Sequence, residues 1–166
     1  MFQKLAERRT LWISFIATVL ITLSFPVAAS IWGLSFVDPI SDPALVRQAI
    51  ADMSAEQRLV HVWVTATLDV AYPLAYGALF VGAAVAFYPR VGRYLAMIIL
   101  VVVPTDLLEG VVQVLALTDT ADWVGAKAVL TPLKTILFLF GFLVTIAGWA
   151  SWFSAWVRQQ AAKKAE

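Results

Sequence analysis

A chain of 166 residues that is 61% hydrophobic and only 14% charged has too little charge to cover a water-facing surface. Its formal net charge of +1 leaves no electrostatic footprint for nucleic acid. With no cysteine and one histidine, disulfides, thiolate metal sites, iron–sulfur clusters, cysteine nucleophiles and multi-histidine metal sites within one chain are excluded. No metal or cofactor is expected, and the composition suits a single all-α membrane domain over residues 1–166 whose first partner is the lipid bilayer.

A membrane-crossing helix needs about 20 mainly apolar residues, and unpaired strands are excluded at that depth because their backbone groups cannot be hydrated. In chain order, Lys4, Arg8 and Arg9 against Glu7 precede a first span at 11–34. A basic start, an apolar run and Val27-Ala28-Ala29 also fit a secretory signal. The run continues through Ile31-Trp32-Gly33-Leu34, long enough to span, so the segment is read as retained.

The loop 35–58 carries Asp38, Asp42, Asp52 and Glu56 against Arg47 and Arg58. Asp42-Pro43 reads as an N-cap with proline at the first helical position, and Leu45, Val46, Ala49, Ile50 and Met53 recur on one face. They predict a short amphipathic helix in the first outer loop. Ser54 and Gln57 fit a capping box that opens the second span, 59–87. A turn at 88–93 with Arg90 and Arg93 leads to the third span, 94–117. A connection with Asp119 and Asp122 leads to the fourth, 126–152, and the tail carries Arg158, Lys163 and Lys164 against Glu166. Basic residues thus alternate sides. The positive-inside rule then predicts a multi-pass protein of the bacterial inner membrane with both termini cytoplasmic. The expected fold is a transmembrane four-helix bundle, its helices kinked at Pro26, Pro73, Pro104 and Pro132.

The chemistry lies in charges the hydropathy pattern does not predict: Asp69, Asp106, Glu109 and Lys134. Each costs about 2.5–3.5 kcal/mol at a helix centre if left facing lipid, so they should face inward and interact. Counting from the outer helix ends at ~1.5 Å per residue, all four lie about 12–16 Å deep, nearly one layer. His61, Thr65, Asp69, Pro73 and Tyr76, with Tyr72 beside them, form a stripe at helical spacing. Asp106, Glu109 and Gln113 form a second stripe, and Lys127, Thr131 and Lys134 a third. Together they predict a polar track opening to the outer surface, with Lys127 and His61 snorkelling near that interface. Three acids and one lysine leave a charge of minus two, so protons or a cation should neutralise the site. Asp106 and Glu109, three residues apart, are the pair expected to share a proton. The same groups also fit an Asp69–Lys134 or Glu109–Lys134 ion pair that only orders the helices.

The segments Leu68-Asp69-Val70-Ala71-Tyr72-Pro73 and Pro104-Thr105-Asp106-Leu107-Leu108-Glu109, with the late Lys134, resemble a bacterial family of four-helix integral membrane proteins of unknown function. That family has an Asp-x-x-(Phe/Tyr)-Pro segment, an Asp-x-x-Glu segment usually followed by Asn, and a late lysine. Gly110 stands here in place of the Asn. The resemblance covers the last three spans and the loop before them, and implies that Asp69, Asp106, Glu109 and Lys134 act as one unit.

The leading function is an intramembrane site, with Tyr72, Tyr76, Gln113 and His61 as further binding candidates, that binds or transports a small molecule or ion with proton or cation linkage. An intramembrane enzyme acting on a lipid or isoprenoid by general acid–base catalysis is one alternative. A non-catalytic subunit or assembly factor is the other. The partner classes are accordingly a lipid or small-molecule ligand, a homodimer, or a membrane-complex partner, and no nucleic acid.

Overall fold

The computed structural model describes residues 2–165, so the tail charge at Glu166 lies outside the described residues. Every regular element among them is helical. After α1 (Phe2–Leu5) and α2 (Arg8–Trp32) come a loop and α3 (Pro43–Ala51). Then follow α4 (Ala55–Phe87), α5 (Gly92–Leu100), α6 (Val102–Leu117) and, through a 3-10 turn at Val124–Ala126, α7 (Lys127–Ala165). Four stretches are long and apolar enough to cross a membrane: Arg8–Trp32, Ala55–Phe87, Gly92–Leu117 and Val124–Lys163.

The capping chemistry acts as the sequence predicts. Asp42 Oδ1 accepts the backbone N–H groups of Ala44 (2.7 Å) and Leu45 (3.4 Å) at the start of α3. Ser54 Oγ accepts the Gln57 N–H while Gln57 Oε1 accepts the Ser54 N–H, a complete capping box on α4. The Gln57 amide also reaches the carbonyl of Gly33 at 2.9 Å. Gly33 ends α2 at φ +60°, a backbone conformation that favours glycine.

In two places the helices do not coincide with the expected spans. The third is interrupted at Val101, three residues before Pro104. Pro104 has no N–H and its ring crowds the carbonyl of Leu100, and Val101 N–H turns to Ile98 O at 3.2 Å instead. Pro26, Pro73 and Pro132 lie inside uninterrupted helices. The helix of the fourth span continues past Trp152. With no glycine or proline after Gly148, α7 continues for 39 residues, about 58 Å at 1.5 Å per residue.

The long helices assemble around α4, which packs against α1, α2, α5, α6 and α7. The stretch 79–84 is fully buried: Leu79, Phe80, Val81, Ala83 and Ala84 meet Ala96, Ile99 and Val102 in one core cluster. Small residues permit this closeness. Gly82 lies against the carbonyl of Leu5, Gly92 against the carbonyl of Ala84, Gly141 against Phe80 and Gly148 against Phe87. The face of α7 bearing Gly141, Thr145 and Gly148 is therefore occupied by α4 of the same chain. At the other end α3 buries Val46 and Ile50 with Val37, Ala116, Leu117 and Val124. Arg47–Asp122 (2.8 Å) and Arg58–Asp119 (3.0 Å) bind that end from outside. Outward-facing residues such as Ile16, Leu20, Leu23, Ile31, Val129, Ile136 and Leu143 leave a continuous apolar surface compatible with lipid contact.

The glycine contacts give a direct test. Gly92→Ala places a Cβ against backbone at Ala84 and is expected to cost about 1–3 kcal/mol in thermal or denaturant unfolding in detergent. Gly125→Ala, with open space around the added atom, should stay within ~0.5 kcal/mol of the parent.

Candidate functional site

Helical spacing brings the polar residues of three helices together. On α6, Asp106, Glu109 and Gln113 lie on one face, and on α7 Lys127, Thr131 and Lys134 lie on the face opposite. Glu109 is fully buried at the centre. Its Oε1 accepts from Lys127 Nζ at 2.5 Å and from Thr131 Oγ1 at 2.5 Å, and Lys134 Nζ pairs with its Oε2. Lys134 Nζ also lies 3.0 Å from Asp106 Oδ1, and Tyr76 Oη donates to Asp106 Oδ2 at 2.7 Å. Lys134 therefore stands between Asp106 and Glu109, and the expected pair sharing a proton is replaced by two acids bridged by an ammonium. Of the two ion pairs weighed, Glu109–Lys134 is formed, whereas Asp69 Oδ2 has no hydrogen-bond partner.

The open track is overturned. Residues 33–42 fold back over its end at His61 and Lys127: Val37 is fully buried, Phe36 stands edge-on to His61 at 5.4 Å, and Asp38 enters the polar layer. Gln113 Nε2 donates to Asp38 Oδ1 at 2.9 Å, and Lys127 Nζ approaches the Asp38 carbonyl at 3.5 Å. His61 Nε2 lies 3.9 Å from Asp38 Oδ2, an ion-pair distance longer than a hydrogen bond. Lys127 and His61 do not snorkel. Both are fully buried, because the loop takes the place of solvent above them.

What remains open is a cavity of about 470 Å³ beside the layer, bounded by Asp38, Asp69, Asp106 and Lys134 on its polar side. Its apolar wall is a chain of edge-on rings: Phe25–Phe36 (5.7 Å), Phe25–Tyr72 (5.7 Å), Tyr72–Tyr76 (5.0 Å) and Tyr76–Phe138 (5.0 Å). Exposed Pro39, Thr135 and Leu139 lie on its rim, so it is flanked by α2 through Phe25 and by α7. Of the sequence candidates, Asp69, Tyr72, Tyr76, Asp106 and Lys134 line this space. Glu109, Gln113 and His61 form the buried layer behind it. Among the described residues, no three His, Cys, Asp or Glu side chains are grouped so as to hold a metal ion.

Sequence reading missed Asp38 and the paired role of Lys127. A signal existed for each. Asp38 sits within Leu34, Phe36, Val37 and Ile40, too apolar a loop to stay in water, and Lys127 is two turns from Lys134 on the same face. The added acid and added lysine cancel, so four acids and two lysines still sum to minus two if all are ionised. Burial pushes the Asp38 carboxyl up. The His61 imidazole, the Gln113 amide and the charges of Lys134 and Lys127 outweigh it and hold the group at about 2, below its ordinary 3.8. No family model, curated protein or solved structure matches this chain.

Two outcomes are expected. Lys127→Met leaves a buried carboxylate short of one partner and should lower unfolding stability by about 3–5 kcal/mol, with Glu109→Gln in the same chain restoring part of the loss. For Asp38 the folded value is depressed, so its contribution is present above the unfolded value and lost as pH falls through the folded one. The melting difference between the parent and Asp38→Asn should hold steady above about pH 5 and shrink between about pH 4 and 2.

Proposed function

We propose that this chain is a bacterial inner-membrane protein, a four-helix bundle with both termini cytoplasmic, that binds or transports a small molecule at an intramembrane carboxylate–lysine site with proton or cation linkage. The topology rests on the basic residues of the N-terminus, the 88–93 turn and the tail against the acidic loops between them. The motif resemblance supports treating Asp69, Asp106, Glu109 and Lys134 as one unit.

The observation that carries the functional reading is the cavity of about 470 Å³ that reaches Asp69, Asp106 and Lys134. Small-molecule sites of ~300–1,000 Å³ with an apolar wall and a few convergent polar groups have this character. A purely structural charge cluster has no need of such a space. One feature favours the enzymatic alternative. The Tyr76 hydroxyl, Asp106 and Lys134 converge beside an aromatic wall that suits a lipid or isoprenoid, the geometry required of general acid–base chemistry on an apolar substrate.

Native mass spectrometry of the protein purified in mild detergent tests the binding reading. The parent should carry a co-purified species that Asp106→Asn loses while its helical circular dichroism and melting temperature stay near the parent's. Mutants that lose only stability, with no bound species in the parent, would place the cluster in a structural role.

A further inference from the structure

Four acids meet two lysines in the layer, and the pairing is uneven. Lys127 is committed to Glu109, and Lys134 to Glu109 and Asp106. Asp38 and Asp69 have no lysine of their own, both line the cavity, and the Oδ2 atom of each is buried without a hydrogen-bond partner. A buried carboxylate oxygen left unpaired is costly. Two on one cavity, with His61 Nε2 no nearer than 3.9 Å to Asp38 Oδ2 and Lys134 turned to Asp106 and Glu109, leave acceptor sites that a positively charged donor would fill. An anion would have to compete with Asp106 and Glu109 for ammonium groups already engaged.

The apolar wall supplies the second half of the recognition. Phe25, Tyr72, Tyr76 and Phe138 stand mostly edge to face around the cavity. Ring faces attract a positive nitrogen on a carbon body, and a strongly hydrated inorganic ion gains little from them. We infer that the cavity takes an organic cation, a positively charged nitrogen on an apolar body, seated between Asp69 and Asp38 against the aromatic wall. The inference rests on the small-molecule reading above and names its ligand class. The exposed rim at Thr135 and Leu139 puts entry alongside α7, where an apolar body arrives from the bilayer.

The test uses the full chain in nanodiscs of phosphatidylglycerol alone, with two labelled probes of matched shape: benzyltrimethylammonium and its neutral counterpart neopentylbenzene. Binding is measured by equilibrium dialysis after subtraction of empty discs. The cation should bind at least tenfold more tightly than the neutral probe. Asp69→Asn should abolish that preference, and Thr135→Trp, which fills the cavity from its rim, should weaken both probes.

If Asp69→Asn fails to fold, Phe138→Leu takes its place. It should weaken the cation about three- to tenfold while leaving the neutral probe within twofold. Equal binding of the two probes, weakened by Thr135→Trp, overturns the cationic ligand and leaves the pocket reading standing. Binding of neither probe, or binding indifferent to Thr135→Trp, overturns both. Adding phosphatidylethanolamine then separates the sources. Competition with the cation supports the class with a lipid amine as ligand, and its absence alongside the tenfold preference supports a free amine.

Discussion

The buried carboxylate of Glu109 is the group on which the arrangement depends. A carboxylate removed from water is tolerated only when its lone pairs are filled, and here Lys127, Thr131 and Lys134 all converge on it from α7. That convergence fixes the register of α7 against α6, because only positions 127, 131 and 134 repeat at the spacing that aims three donors at one point. It also determines which acids are left over. With Lys127 on Glu109 and Lys134 shared between Glu109 and Asp106, neither lysine forms an ion pair with the carboxylate of Asp69 or Asp38.

The loop 33–42 follows from the same constraint. Lys127 and His61 stand above the layer, and leaving them to water would draw solvent down onto the Glu109 pairs and weaken them. Phe36, Val37 and Asp38 exclude it, and the loop is held at both ends. The Gly33 carbonyl receives the Gln57 amide, and Asp42 caps α3, whose Val46 and Ile50 share the cluster that buries Val37. The capping box of α4 therefore acts beyond its own helix, since the side chain that closes the box also anchors the loop covering the charged layer.

The spans were legible because hydrophobic length is a local property, and the caps at Asp42 and Ser54 because capping chemistry spans only three or four residues. Grouping Asp69, Asp106, Glu109 and Lys134 at one depth was legible as well, because the rise per residue is constant along a helix. What sequence could not give was direction across the layer. Whether Lys134 meets Asp69, Asp106 or Glu109 depends on helix rotation and on which loop covers the outer end, and both are set by long-range packing. The track from His61 to Lys127 was correctly drawn and wrongly opened. Its polarity matches solvent and a folded-back loop equally well, and only the apolar residues around Asp38 distinguish the two. The helix carrying the fourth span runs on past Trp152, because charged and aromatic residues at 149–158 do not by themselves stop a helix.

The position of the cavity reflects how unequally the helices are joined. Over residues 79–84 α4 is enclosed by close contacts with apolar side chains and backbone, and Tyr76 stands where that cluster meets the charged layer. In its first half it faces the charged layer. At one end α2 meets α7 through Trp12 and Phe15 against Trp149. Toward the other end the cavity separates Phe25 of α2 from Phe138 and Leu139 of α7. The packing of α2 is chiefly with α4, and α2 contributes nothing to the Glu109 pairs. Movement of α6 against α7 would break the Glu109 pairs, so the charged layer holds those two helices in register, while α2 is held chiefly by its packing on α4 and the cavity lies where it stands apart from α7.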